Sequence, residues 1–366
     1  MNKILITIDC GRYDAVIHND MVDLKNIKEL MGNSFVYHNV QATAPYTPAS
    51  HCSMLTGLYP YEHGIRRMYD CAMHPEKRMI QVGLQEQGYY TAVFTGYDGL
   101  IRGYGMNKGW DYVDENSDLS KRWGSHTQCG YKGNLWLENF KKHEFPKDKP
   151  VFVWLHFFHL HTGGEKALPF KYHNLIDPSL PQLFELYDAK LKWFDEEWLP
   201  VILDKFDFDN TDIYLTSDHG DDFGKYELSH KQELFEETLH VPLIWKPIKS
   251  LDKQDDIYRL TSGRHTLMPE DAVGYDWVYS ETENEGVLKS CINDGKYKAI
   301  QTNLNGGTDM CYYKMDGMYE KGFVKYVDCR DDVFYMNELL DSVTLEYGKG
   351  NSDEEHKKRL RDLGYL

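Results

Sequence analysis

DIYLTSDHG, residues 212–220, decides how the rest of the chain is read. Asp212–Thr216 is a short apolar run rich in β-formers, of a length that suits a buried strand better than a helix. It stops at Ser217, Asp218, His219 and Gly220, which leaves an acid and an imidazole at the strand tip. Lys3–Ile8 (KILITI) repeats the pattern at the N-terminus and ends in Asp9. Val151–His161 (VFVWLHFFHLH) reads as a strongly apolar strand ending in His161, and Thr91–Thr95 and Val241–Trp245 read as two more short strands. Helical patterns fall between them at 23–31, 50–58, 80–88 and 183–206, the last with a kink expected at Pro200. Residues 97–135, rich in Gly, Tyr and charge, read as a long surface excursion.

Strand and helix thus alternate from residue 1 to about 246, which predicts an α/β fold with a mostly parallel central sheet sandwiched by helices. In such sheets the ligand lies outside the carboxyl ends of the strands. Asp9, His161, Asp218 and His219 are therefore expected along one edge. From about residue 256 the texture changes to Tyr, Asp, Gly and Lys with strand-like pieces (KYKAI, MCYYKM, DVFYM). This predicts a small antiparallel C-terminal subdomain, closed by a helix through Glu355–Leu363, and a division into 1–255 and 256–366.

The 366 residues carry 58 acidic and 41 basic side chains, a formal net charge of -17. Such a surface repels nucleic acid and anionic membranes. A small anionic substrate remains compatible, since a bound metal or local positive charge overrides the net field. No apolar run reaches a membrane span and no signal-peptide pattern opens the chain, so the expected location is cytoplasmic. The seven cysteines have no CxxC spacing, which argues against a zinc knuckle and a disulfide framework. Homo-oligomer formation is left open.

Asp9, Asp218 and His219 are residue types suited to a divalent metal. Taken singly, each is more often a turn former or a solvated polar group; their convergence at one sheet edge is what raises the metal reading.

Several segments carry a resemblance. APYTPASHCSMLTGLYPYEHGI (44–65) resembles the nucleophile segment of the sulfatase / alkaline phosphatase superfamily, and ILITIDCGRYD (4–14) its first metal-binding Asp followed by x-x-R-x-D. DIYLTSDHGDDFG (212–224) resembles the second metal motif, and HKQELFEETLHVPLIW (230–245) the segment that ends in VPLI. YDAKLKWFDEEW (187–198) is similar to the helix before the SDHG strand, and the terminal LRDLGYL is typical of these enzymes. Four motifs in the right order span nearly the whole chain.

The resemblance implies a metal-dependent ester hydrolase, with one divalent ion (Mn2+, Zn2+, Ca2+ or Mg2+) held by Asp9, Thr47, Asp218 and His219. Alignment on Leu-Thr-Gly puts Thr47 in the nucleophile slot. Sulfatases proper carry Cys or Ser there, within C-x-P-x-R, for conversion to formylglycine; here the slot holds Thr and the Arg position holds His51. Thr cannot become formylglycine. The chain is thus similar to the Thr-using members, which include phosphodiesterases and phosphoethanolamine or phosphoglycerol transferases. His161 and His230 are the implied acids for the leaving alcohol, with Lys231 as an anion contact. His159 and His156 are expected in structural roles, His156 because period two points it away from His161. His63 is expected to be structural. Arg12 and Arg66 are candidates for local positive charge, with ion pairing as the competing role. One metal is expected, because HLHTGG lacks the extra Asp of two-metal relatives. The rival reading is a catalytically silent member of the fold that binds a glycan or a partner protein.

Overall fold

The computed structural model describes residues 1–67, 71–97, 99–115, 129–161, 168, 171–172, 182–223, 233–248, 255–267, 276–304, 307–316, 319–324 and 333–341. The larger sheet contains β1 (Asn2–Ile8), β2 (Phe35–Gln41), β3 (Tyr90–Thr95), β4 (Tyr112–Glu115), β5 (Val151–Phe157), β6 (Thr211–Ser217), β7 (His240–Lys246), β8 (Asp255–Ile257) and β9 (Thr261–Ser262). Its order is β4-β3-β5-β1-β6-β7-β2-β8, with β9 also on β2. From β4 to β6 every pairing is parallel. β7 runs antiparallel to both its neighbours. A second, antiparallel sheet follows as a meander of β10 (Val278–Asn284), β11 (Val287–Asn293), β12 (Tyr297–Leu304), β13 (Gly307–Asp316) and β14 (Tyr319–Val324).

Alternation along β1 separates the two layers of core. Ile4, Ile6 and Ile8 join Phe140, Trp193, Phe194 and Trp198 on one face. Leu5 joins Ala49, Cys52 and Leu55 of the helix Thr47–Thr56 on the other. Each fully buried aliphatic side chain contributes on the order of 2 kcal/mol. Central strands covered on both faces need apolar residues at nearly every position, which is why β1, β5 and β6 were legible as continuous runs.

Four segments differ from their sequence reading. Residues 97–135 are not merely a surface excursion: β4 closes one sheet edge, and Leu100, Ile101 and Met106 are buried in the core. The strand β2 had no counterpart in the sequence reading. The helix expected over 183–206 runs over 182–204 and contains a π-helical turn, Phe194–Trp198, just before Pro200. DVFYM is not a strand, because residues 333–341 form a helix. Val333, Met336 and Leu340 line one face of it against the small sheet, at helical spacing. The closing helix expected at 355–363 lies outside the described residues.

Residues 255–262 pair with β2 in the larger sheet, and the small sheet starts at Val278. The two sheets share a core in which Tyr37, Val40, Val241 and Leu243 meet Cys291 and Ile300. Backbone and side-chain bonds then tie β10 to the chain leading into the helix Thr47–Thr56: Glu281 N to Thr43 O, 3.0 Å, and Ser280 Oγ to Ala42 O, 2.6 Å.

Candidate active site

Parallel β1 and β6 lie side by side with Ile8 opposite Ser217. Their next residues, Asp9 and Asp218-His219, therefore emerge together at the carboxyl edge. Cys10 adopts a left-handed conformation, φ 56°. That turn aims its amide at Asp218 Oδ1, 3.2 Å, while its thiol donates to Asp9 Oδ1, 2.9 Å. Gly220 must be glycine for space, since a Cβ would meet the Glu237 carbonyl oxygen at 2.1 Å.

Thr47 opens the ten-residue helix Thr47–Thr56, with Pro48 in its first turn and Gly57, φ 72°, ending it. Its hydroxyl is buried and donates to Asp9 Oδ2 at 3.1 Å; it also lies 3.3 Å from His219 Nε2. His219 Nδ1 faces the Gly220 carbonyl at 2.7 Å. A carbonyl only accepts, so Nδ1 carries the proton and Nε2 presents its lone pair to the cluster. Asp218 Oδ2 is 3.5 Å from that Nε2. The ligating atoms of Asp9, Asp218 and His219 all lie within 4.8 Å of one another, as do those of His51, His156 and Asp218, and those of Asp9, Cys10 and His161.

Two fully buried carboxylates side by side are electrostatically costly. Burial pushes Asp9 up, but the imidazoles of His156, His161 and His219 outweigh it and hold Asp9 well below the usual carboxylate range. Asp218 is raised, by burial first, with His219 opposing and the Asp9 charge adding. A divalent cation among these atoms would offset the mutual repulsion of the two carboxylates. Asp218 Oδ2 and His156 Nε2 are moreover buried polar atoms without a hydrogen-bond partner. The donor set and these orphaned atoms fit a divalent cation between Asp9, Asp218 and His219.

The structure therefore gathers Asp9, Thr47, Asp218 and His219 into one cluster. His161 follows β5 and lies near Asp9 and Cys10, its backbone carbonyl 3.5 Å from Lys190 Nζ. Burial lowers that ammonium to about 8. His230 and Lys231 lie outside the described residues. His159 packs among Phe157, Trp193 and Trp198, where burial lowers it to about 3. His63 is bonded to Ser53 Oγ and to the Ile65 amide. Arg12 pairs with Asp14 and donates to the Asp221 carbonyl, and Arg66 pairs with Glu281 of β10. Ser50 donates to the Ala44 carbonyl at 2.8 Å, and Cys52 packs in the core.

His156 does not point away from the cluster: its Nε2 is 3.5 Å from Asp9 Oδ2. Parity counted back from His161 fails because β5 ends at Phe157, and a 3-10 turn occupies Phe158–Leu160. The parallel register, Thr7 opposite His156, is what sets its face.

An open, mostly parallel sheet thus carries a buried acid–imidazole–hydroxyl cluster at its carboxyl edge. The chain belongs to the sulfatase family, whose model, described as Sulfatase, matches residues 2–265. Among solved structures, it is similar to the phosphonate monoester hydrolase of Agrobacterium radiobacter, at 15% identity and a TM-score of 0.75, covering 94% of this chain and 96% of that one. It is also similar to a putative sulfatase from Bacteroides thetaiotaomicron VPI-5482, at 15% identity and a TM-score of 0.71, covering 97% and 96%. A third similar structure is the phosphonate monoester hydrolase SpPMH from Silicibacter pomeroyi, at 13% identity and a TM-score of 0.69, covering 96% of each chain. No curated protein matches the chain.

Proposed function

We propose that the protein is a metal-dependent hydrolase of small anionic phosphate, phosphonate or sulfate esters, with Thr47 as nucleophile. The observation that carries this reading is the Thr47 hydroxyl, buried at a helix N-terminus, bonded to Asp9 and 3.3 Å from His219 Nε2. A hydroxyl placed so is pre-aimed, and the helix N-terminus favours negative charge on it. Family membership and the two phosphonate monoester hydrolases of the same fold support the reaction class.

Asp9, Asp218 and His219 would hold one divalent ion, which when bound lowers the pKa of the Thr47 hydroxyl and balances charge on the transferred group. The chain's own residues do the rest. Asp9 Oδ2 fixes the rotamer of Thr47 by accepting a hydrogen bond from its hydroxyl. The oxygen attacks phosphorus or sulfur in line with the leaving alcohol. His161, with His230 and Lys231 as the assignments from resemblance, protonates that alcohol and contacts the anion. Water then cleaves the covalent adduct on Thr47. Because Thr47 has no hydrate to eliminate from, phosphoryl and phosphonyl esters should turn over faster than sulfates. Among the described residues no helix is long and apolar enough to cross a membrane. We place the reaction in the cytoplasm and on a small-molecule substrate.

The test is rapid quenching of the metal-loaded protein with nitrophenyl phosphate, bis-phosphate, phosphonate and sulfate esters, followed by peptide mapping. A phosphate adduct on the peptide containing Thr47 is expected. An adduct on Ser50 or Cys52, or faster turnover of the aryl sulfate with Thr47 unmodified, would overturn the assignment. Absence of any adduct and any turnover would favour the catalytically silent reading.

A further inference from the structure

The orphaned nitrogen of His156 has no assigned role in this reading. His156 Nδ1 lies 2.9 Å from Thr7 Oγ1. The same oxygen receives the Trp154 Nε1 proton at 2.9 Å and faces His51 Nε2 at 3.0 Å. His51 Nδ1 in turn faces the Thr47 carbonyl at 2.9 Å. These four bonds settle who donates. The Thr47 carbonyl only accepts, so His51 carries its proton on Nδ1. The ring is fully buried and the Asp218 carboxylate is 3.9 Å from it, beyond hydrogen-bond reach, so nothing holds a second proton there. Its bare Nε2 therefore takes the single hydroxyl proton of Thr7. The Thr7 oxygen then accepts from Trp154 and from His156, which fixes the His156 proton on Nδ1. His156 Nε2 is left with a free lone pair. That atom is fully buried, has no hydrogen-bond partner, and lies 3.5 Å from Asp9 Oδ2, too far for a good hydrogen bond.

We propose that His156 Nε2 is a further ligand of the cation held by Asp9, Asp218 and His219, oriented by the chain from the Thr47 carbonyl through His51 and Thr7. The inference rests on the metal reading above and deepens it. A second imidazole makes the donor set richer in nitrogen, which favours borderline ions such as Zn2+ or Mn2+ over Mg2+ and Ca2+. Outer partners that lock the tautomer of a ligating imidazole are commonly worth about 10- to 100-fold in metal affinity. Here Thr7 is that partner. His51, the residue beside it, stands where the resemblance expects an arginine.

The experiment is metal binding to apo protein, measured by competition with a chromophoric chelator for Zn2+ and Mg2+, together with the visible spectrum of the Co2+ form. His156→Asn keeps a donor near Thr7 and deletes the Nε2 lone pair. It should weaken Zn2+ by about 10-fold or more, weaken Mg2+ less, and alter the Co2+ bands. Thr7→Val should weaken Zn2+ too, and Thr7→Ser should restore it. Thermal unfolding of each apo variant checks folding; if His156→Asn does not fold, the Thr7→Val and Thr7→Ser pair decides alone. Wild-type Zn2+ affinity and an unchanged Co2+ spectrum in His156→Asn, or Thr7→Val indistinguishable from Thr7→Ser, would overturn the role of His156 while leaving the metal site standing. A wild-type protein that binds no divalent ion, or an Asp218→Ala variant that binds as well as wild type, would overturn the metal reading and this inference with it.

Discussion

Thr47 is bonded to Asp9 and is the proposed nucleophile, and substitution separates the two roles. Thr47→Ser keeps the oxygen on a freer rotamer and should retain activity with a modest loss. Thr47→Ala removes the covalent route and should cut kcat by about 10³-fold or more, with metal affinity little changed because Asp9, Asp218 and His219 remain. Near-normal turnover in Thr47→Ala, measured on a nitrophenyl phosphonate, would dismiss Thr47 as nucleophile. Buried histidines away from the cluster make a second residue-scale prediction. Burial lowers His63 to about 3 and His240 to about 4, against an ordinary value near 6.5. Between those values and about pH 6.5 the unfolded chain binds more protons than the folded one. The stabilisation is full above about pH 6.5 and is lost as pH falls through that window, at up to about 1.4 kcal/mol per pH unit for each ring. Urea unfolding at pH 7, 5.5 and 4 should show it. His240→Gln should have the shallower slope, and an unchanged slope would remove His240 from the account.

At the scale of elements, the strand tips carried most of the legible information. A parallel sheet brings every β-strand's carboxyl end to one edge, so Asp9 and Asp218-His219 could be placed together from their positions alone. The same logic failed at His156, where the chain leaves the extended conformation before the residue from which parity was counted. The π-helical turn at Phe194–Trp198 is another feature that periodicity does not reveal, and it has work to do. Asp195 within it accepts from the amides of Ile27 at 2.7 Å and Asn26 at 3.2 Å. These amides open the helix Lys25–Met31, whose own N-cap, Leu24, supplies no side-chain bond. Asp195 thus caps a helix from about 170 residues away in sequence. Asp195→Ala should cost about 2 kcal/mol, read as a lowered denaturation midpoint at unchanged m-value. A cost near zero would mean that water replaces the cap.

On the scale of the whole molecule, the small sheet braces the chain that leads into Thr47, the proposed nucleophile. β10 bonds directly to the 42–43 backbone, and Gln41 joins Ser280 at 2.7 Å and Asn293 at 3.0 Å. Lys298 of β12 pairs with Glu236 at 2.6 Å, with both side chains fully buried. Breaking such a pair from one side leaves an uncompensated buried charge. Lys298→Met alone should therefore destabilise by about 3–5 kcal/mol, whereas Lys298→Met with Glu236→Leu should recover much of the loss. Equal stability of the single and double variants in urea would show that the pair is not coupled.

The sequence by itself determined the alternation of apolar runs and helical stripes, the acids and imidazole at the strand tips, and a helix beside Pro48, expected over 50–58 and found over 47–56. Each of these follows from local pattern or from a single topological rule, so a linear reading reaches it. Only the tertiary structure decided which face His156 shows, that Arg66 is engaged by Glu281, and that β10 grips the chain before Thr47. Those outcomes depend on register between strands far apart in sequence and on the pairing of buried charges. Their energies come from partners that no local window contains.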